Sequence, residues 1–389
     1  MGTTSRANGG MVDKSDHFAF SVNVHPSDTK LLFGERLRRG RLMRGLSLRG
    51  LASRIGEFGT AISHAALQKY EKGLMGPDSG VLLTLSRALN LDPGYFFRSS
   101  PVKLDRIEFR KLTKFPLREV NRLREEVTDY IERYRQVEAI LEIRPAALMQ
   151  IDLRNVSPNE GAALCAAAEK AARQIRAAWK LGETPLTNVH ELLEEHGVKV
   201  KMVDAAESFN GFCGWADDRT PVITLAKWLD QDLPRKRLTA LHELGHLVLN
   251  LPSGISHKAK ESYCYRFAGA LLLPADGLLN RVGSKRPDGI SLRERVGIKE
   301  DWGISIAALM RRSADLGIIT QSQLKSFHVQ NSSTRKNEPG LWQGSERADR
   351  YEQLVFRAAA QELVTRSKAT ELLGITAREF DQQFAAEAI

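Results

Sequence analysis

Between Val120 and Leu141 the apolar positions fall at alternating spacings of three and four: Val120, Leu123, Val127, Tyr130, Tyr134, Val137 and Leu141. That period marks one face of a helix, and two such faces can form a coiled-coil seam. It predicts one long helix over 115–143, whose seam meets either a second copy of the chain or other parts of its own. Upstream, Phe33–Met43 and Leu48–Ile55 also repeat with helical period, and Ser47 stands as the N-cap of the second. A third helix fits Ser63 to Gly73, closed by its glycine, with Leu67 and Tyr70 inward at i and i+3.

Downstream the pattern changes. Ser157-Pro-Asn-Glu160 reads as a capping box opening an Ala-rich helix that runs to about Lys180, and a helix over 186–196 ends at Gly197. Residues 198–203 alternate as a strand does, and 209–215 and 221–225 read as two more short strands. Helices follow at 235–250, 260–273, 290–298 and 304–316. The fold class is therefore multidomain: an all-α N-terminal bundle, an α+β unit with a small sheet, and an α-helical tail. The expected boundaries are 1–30 disordered, 31–100 helical domain, 101–155 helical linker, 156–325 α+β domain, 326–346 polar linker around Pro339-Gly340, and 347–389 helical segment.

Charge changes the picture for the first of these domains. The chain of 389 residues has a formal net charge of +10. Between Gly34 and Lys72 nine basic residues face three acids, so most of the excess sits in one tenth of the chain. Such a concentration points to an acidic partner such as nucleic acid. In the third helix, Leu67 and Tyr70 facing inward leave His64, Ala65, Gln68 and Lys69 outward, beside Ser63 at the start and Lys72 near the end. Small and amide side chains can enter a major groove, where Gln pairs with adenine, and flanking cations meet phosphates. The expected partner is a double-stranded DNA operator. A basic helical bundle that binds protein is the plainer alternative.

Cys165, Cys213 and Cys264 are few, odd in number and far apart, with no CxxC knuckle, which suits a reducing compartment. The start of the chain has no apolar signal-peptide core, and no run of 18 apolar residues suggests a membrane span. A cytoplasmic protein is expected.

The helix at 235–250 contains His242, Glu243 and His246 in an apolar run. Residues four apart lie about 40° apart around a helix, so the two imidazoles can share one ion. Glu243 sits one residue on, where a carboxylate can serve as general base toward water. A core helix with two hydrogen-bonded histidines would show the same letters. A catalytic zinc also needs a third protein ligand and an open position. Glu261, 15 residues after His246, is the leading candidate and His257 its competitor. Zinc is the default ion for two His and a carboxylate, and manganese or iron suits the same ligands.

Two resemblances give these features a setting. LRGLASRIG, QKYEKG and LLTLSRALNLDPGYFF resemble the Cro/C1-type (Xre) helix-turn-helix family, with Glu71 at its E-x-G position. The stretch GEFGTAI before the third helix is several residues longer than that family's turn, which tilts the helix or moves its start. From about Glu169 to Thr320, GFCGW, PVITL, HELGHLVLN and the E…FAGALLLP run resemble the ImmA/IrrE-type metallopeptidases. That resemblance implies a zincin-like fold and Glu261 as third ligand. It also implies an Asn or Asp four residues after Glu261, where this chain has Tyr265.

The pairing implies a regulator in stress or mobile-element control that cleaves a protein. By resemblance the substrate is a helix-turn-helix repressor, or the chain's own N-terminal domain or linker. The alternative is a transcription factor whose peptidase-like domain is a non-cleaving sensor or interaction module. A homodimer through the 120–141 seam would fit either.

Overall fold

The computed structural model describes residues 26–98, 102–105, 115–155, 161–332 and 337–387. Residues 1–25 and the capping box at Ser157–Glu160 lie outside the described residues. The chain divides into two units near residue 100.

The first unit is built from α1 (Pro26–Met43), α2 (Leu48–Gly56), α3 (His64–Glu71), α4 (Ser79–Leu89) and a 3-10 turn at Pro93–Phe97. Side-chain caps fix where these helices begin. Ser47, Ser63 and Asp78 accept from the backbone N–H of Gly50, Ala66 and Val81 at 3.0, 3.1 and 2.8 Å. Helix α1 starts at Pro26, inside the stretch expected to be disordered as far as residue 30. Its first turn holds Asp28 at the positive end of the helix dipole but carries no apolar period to betray it. Phe33, Leu37, Leu51, Ile55, Leu67, Leu85, Leu89 and Phe96 form the core.

Part of the local basic excess belongs to that core. Arg36, Arg39 and Arg41 are buried, while Arg38, Arg49, Lys69 and Lys72 are exposed. Arg36 Nε donates to the Arg98 carbonyl at 3.0 Å, and Arg41 forks onto both carboxylate oxygens of Glu71 at 2.6 and 2.9 Å. Bidentate arginine–carboxylate pairs of this kind fix orientation as well as charge. Glu71 at the helix end thus anchors α3 to α1.

The second unit is organised by a four-stranded sheet of order β1-β4-β5-β3. Its strands are β1 (Leu104–Asp105), β3 (Lys199–Val203), β4 (Gly211–Ala216) and β5 (Thr220–Ala226). β4 and β5 form an antiparallel hairpin, and β3 runs parallel to β5. A separate parallel pair joins β2 (Ile151–Asp152) to β6 (Leu249–Asn250). Alternation along the strands divides the interior. Val200, Cys213, Ile223 and Leu225 face one core, which contains α6 (Gly161–Ala178), α7 (Val189–Glu195), α8 (Leu233–Val248) and α9 (His257–Leu272). Val203, Phe212, Val222 and Ala226 face the other.

That second core settles the partner of the long seam. Helix α5 (Leu117–Ile140) buries Leu123, Val127, Tyr130, Tyr134 and Val137 against the sheet and against α14 (Arg350–Ala360) and α15 (Arg366–Leu373). The seam is covered by its own chain. The C-terminal helices are its cover.

The polar stretch 326–346 is not a free linker. Helix α13 (Gln321–Gln330) extends into it from a capping box between Thr320 and Gln323. From residue 337 the chain lies against the second unit through two glutamates and a tryptophan. Glu338 accepts from Ile306 and Ala307 N–H at 2.7 and 2.8 Å, at the start of α12 (Ile306–Asp315). Glu346 accepts from Val189 and His190 N–H, at the start of α7, and pairs with the fully buried Arg237 of α8. Trp342 covers the Arg237 guanidinium, 4.0 Å from ring centre to cation. Gly303, at φ 61, ends α11 (Leu292–Trp302) and leaves room for that ring, which a Cβ would strike. Removing one partner of such a buried ion pair costs about 3–5 kcal/mol, because the other charge is stranded. An apolar-period reading misses the segment because carboxylates at helix N-termini hold it.

Candidate metal centre and nucleic-acid interface

Helix α8 opens where Asp232 accepts from Arg235 N–H at 3.2 Å, with Pro234 in its first turn, and ends where Leu249 turns extended to pair with Ile151. Its interior face is apolar, which buries His242 and Glu243 to 2% and 1% exposure. Helix α9 opens at Ser256, whose hydroxyl accepts from Ala259 N–H at 3.2 Å. The two helices cross at Gly245. A Cβ there would lie 3.2 Å from Cα and Cβ of Cys264 and from the Phe267 ring, so the bare backbone permits the approach.

The crossing brings three donors together. His242 Nε2 lies 3.2 Å from one Glu261 oxygen, His246 Nε2 lies 3.2 Å from the other, and the two Nε2 atoms are 3.1 Å apart. The three form the metal-competent cluster found among the described residues. Zinc–ligand bonds of 2.0–2.1 Å at tetrahedral angles put ligand atoms about 3.3 Å apart. The spacing and the N2O chemistry therefore fit a zinc-class ion. His257 Nε2 stands farther from Glu261, at 3.7 Å, and its side chain is 44% exposed. It lies outside the cluster.

Two contacts around the triad were not legible in the sequence. Cys264 Sγ is 3.4 Å from His246 Nδ1. A metal held by His246 Nε2 would leave the ring proton on Nδ1, where it would donate toward this sulfur. The Tyr265 ring lies 3.9 Å from that of His242 at an interplanar angle of 32°. A tilted ring contact thus stands against this imidazole where the resemblance implies a hydrogen-bonding Asn or Asp. Helix period puts Glu261, Cys264 and Tyr265 on one face of α9, at i, i+3 and i+4, but does not say what that face meets.

Arg266, on the same helix, pairs with Asp315 at 3.1 Å, and Arg311 reaches the same carboxylate at 3.2 Å. Burial holds the Asp315 carboxyl above its usual range, against the pull of these cations. Arg312 ties α12 to Glu169 of α6 and donates to the Leu273 carbonyl at 2.9 Å. These pairs brace α9 from behind. Tyr263 is fully buried.

In the first unit, α3 presents the face expected of it. Leu67 and Tyr70 are buried, while Ser63, His64, Ala65, Gln68, Lys69 and Lys72 are all exposed. The helix begins at its Ser63 cap despite the long preceding turn. Within that turn, the Thr60 hydroxyl lies 3.4 Å from that of Thr84 on α4.

Residues 37–96 match the family model described as helix-turn-helix, and residues 174–313 match that of the IrrE N-terminal-like domain. The chain is a fusion of an Xre-type helix-turn-helix DNA-binding domain and an ImmA/IrrE-like domain of the metallopeptidase class. No curated protein matches it. No helix among the described residues is long and apolar enough to cross a membrane.

The geometry predicts that a chelator competition will show one tightly held zinc per chain. Glu261→Ala, which deletes a ligand, should weaken zinc by about 100-fold or more. Gly245→Ala should weaken it by about 10–100-fold, the range for changes that disturb ligand orientation. Unchanged affinity in both variants would mean that the crossing does not build the site.

Proposed function

We propose that the chain is a DNA-binding regulator whose second unit is a metal-dependent endopeptidase. His242, His246 and Glu261 are its ligands and zinc its ion, with manganese the alternative. The observation that carries this reading is the convergence of the three donor groups at 3.1–3.2 Å beside a buried glutamate. When bound, a zinc-class cation supplies Lewis acidity for the scissile carbonyl and makes a water at its open position acidic near neutral pH. Glu243 takes a proton from the attacking water as the C–O bond forms. It passes that proton to the amide nitrogen as the C–N bond breaks. Cys264 and Tyr265 keep the two imidazoles in the orientation this transfer requires.

The substrate we infer is a protein, a helix-turn-helix repressor or this chain's own N-terminal domain. On the DNA side, Gln68 with His64 and Ala65 would read base edges, and Ser63, Lys69 and Lys72 would meet the backbone. Tyr265, standing where the resemblance implies Asn or Asp, favours a second reading in which the domain is a non-cleaving sensor.

Incubating the zinc-loaded protein alone and with candidate repressors should give discrete fragments. Glu243→Gln should slow their appearance by about 10²–10⁴-fold while zinc is retained. Identical band patterns from wild type and Glu243→Gln would reject cleavage and leave the sensor reading. For DNA, Lys69→Ala should weaken binding to a random-sequence duplex and lower the salt dependence by about one phosphate contact. An unchanged salt slope would remove Lys69 from the interface.

A further inference from the structure

β3 and α5 set up the same pairing twice, and complete it once. Lys199 and Lys201, two residues apart, share one face of β3, while Tyr134 and Tyr130, four apart, share one face of α5. Lys199 Nζ lies 3.9 Å from the centre of the Tyr134 ring and pairs with the buried Glu138. Lys201 Nζ lies 5.0 Å from the Tyr130 ring, but no carboxylate among the described residues pairs with it. The acids whose fields reach it are engaged elsewhere. Glu126 is held by Arg122 at 3.0 Å, and Asp129 by Arg133 at 2.9 Å. Burial draws the Lys201 ammonium below its ordinary range, and Arg133 and Lys227 push the same way.

This cation lines a cleft of about 570 Å³, a volume typical of small-molecule sites. Tyr130 and Tyr351, with ring centres 5.3 Å apart, form an aromatic wall, and Gly344–Asp349 lines the cleft too. Arg133, Lys227 and Lys236 also face it. Its acids are Asp230, paired with Lys236 at 2.7 Å, Glu346, paired with Arg237, and Asp349 and Glu352 from the start of α14. None of His242, Glu243, His246 or Glu261 lines it.

We propose that this cleft binds a small organic anion, with its carboxylate or phosphate at Lys201 and its body against the Tyr130 and Tyr351 rings. Such a ligand completes for Lys201 what Glu138 completes for Lys199. An occupant would also touch Lys236, six residues before His242 on α8, and the segment that Glu346 fastens to the same helix. The site is independent of whether the metal centre cleaves anything.

Calorimetric titration of the full-length protein at constant ionic strength tests this, with benzoate, phenyl phosphate and the uncharged benzyl alcohol as probes. Benzoate or phenyl phosphate should saturate one site per chain, and whichever binds identifies the anionic group. Benzyl alcohol should bind at least about tenfold more weakly. Lys201→Met keeps the apolar stem, removes a half-buried charge that has no acid partner among the described residues, and should weaken the anion by about tenfold or more. Lys227→Ala, an exposed change at the rim, should weaken it by about threefold. Failure of both anions to saturate, or wild-type affinity in Lys201→Met, would overturn the proposal.

Discussion

Helix α8 can approach α9 as closely as it does because position 245 has no side chain, and the proposed metal site of the second unit depends on that approach. His242 and His246 supply two donors from one helix face, but two imidazoles do not define a metal centre. The third donor, Glu261, comes from a different helix, and only a close crossing brings both its oxygens to within 3.2 Å of the histidine nitrogens. The same contact places Cys264 and Tyr265 against the two rings, so the position and the orientation of the imidazoles have one cause. Arg266 ties α9 to Asp315 of α12, and Arg312 ties α12 to Glu169 of α6, which fixes the far side of the pair.

Helix α8 is held at its other end by a different physics. Arg237 is fully buried, and its charge is balanced by Glu346 from a segment more than a hundred residues away in sequence. That segment continues into α14, which with α15 covers the seam of α5. The C-terminal helices and the helix bearing the histidines are therefore joined through one buried ion pair. A ligand in the cleft beside Lys201 would meet both.

The sequence made some of this legible and concealed the rest for identifiable reasons. Periodicity located α5 and α8, because burial on one face leaves a regular mark, and alternation located β3; β4 and β5 read as short strands without it, since both of their faces are buried. The outward face of α3 could be named because Leu67 and Tyr70 fix which side is inward. His242, Glu243, His246 and Glu261 could be listed from spacing, aided by resemblance. The Cys264 and Tyr265 contacts could not, since they depend on how closely two helices cross. The docking of 337–349 was hidden because glutamates and one tryptophan hold it, and a polar stretch looks the same whether it is solvated or capping a helix. The fate of the α5 seam was undecidable from its own residues, because apolar spacing does not say which chain supplies the cover.

The N2O site proposed at the α8–α9 crossing keeps Cys264 beside the metal and outside its coordination sphere. X-ray absorption on the zinc-loaded protein tests this most directly. Nitrogen and oxygen scatterers are expected at about 2.0–2.1 Å, with outer-sphere signals from two imidazoles and no sulfur shell. A sulfur scatterer at about 2.3 Å would put Cys264 on the metal and contradict it.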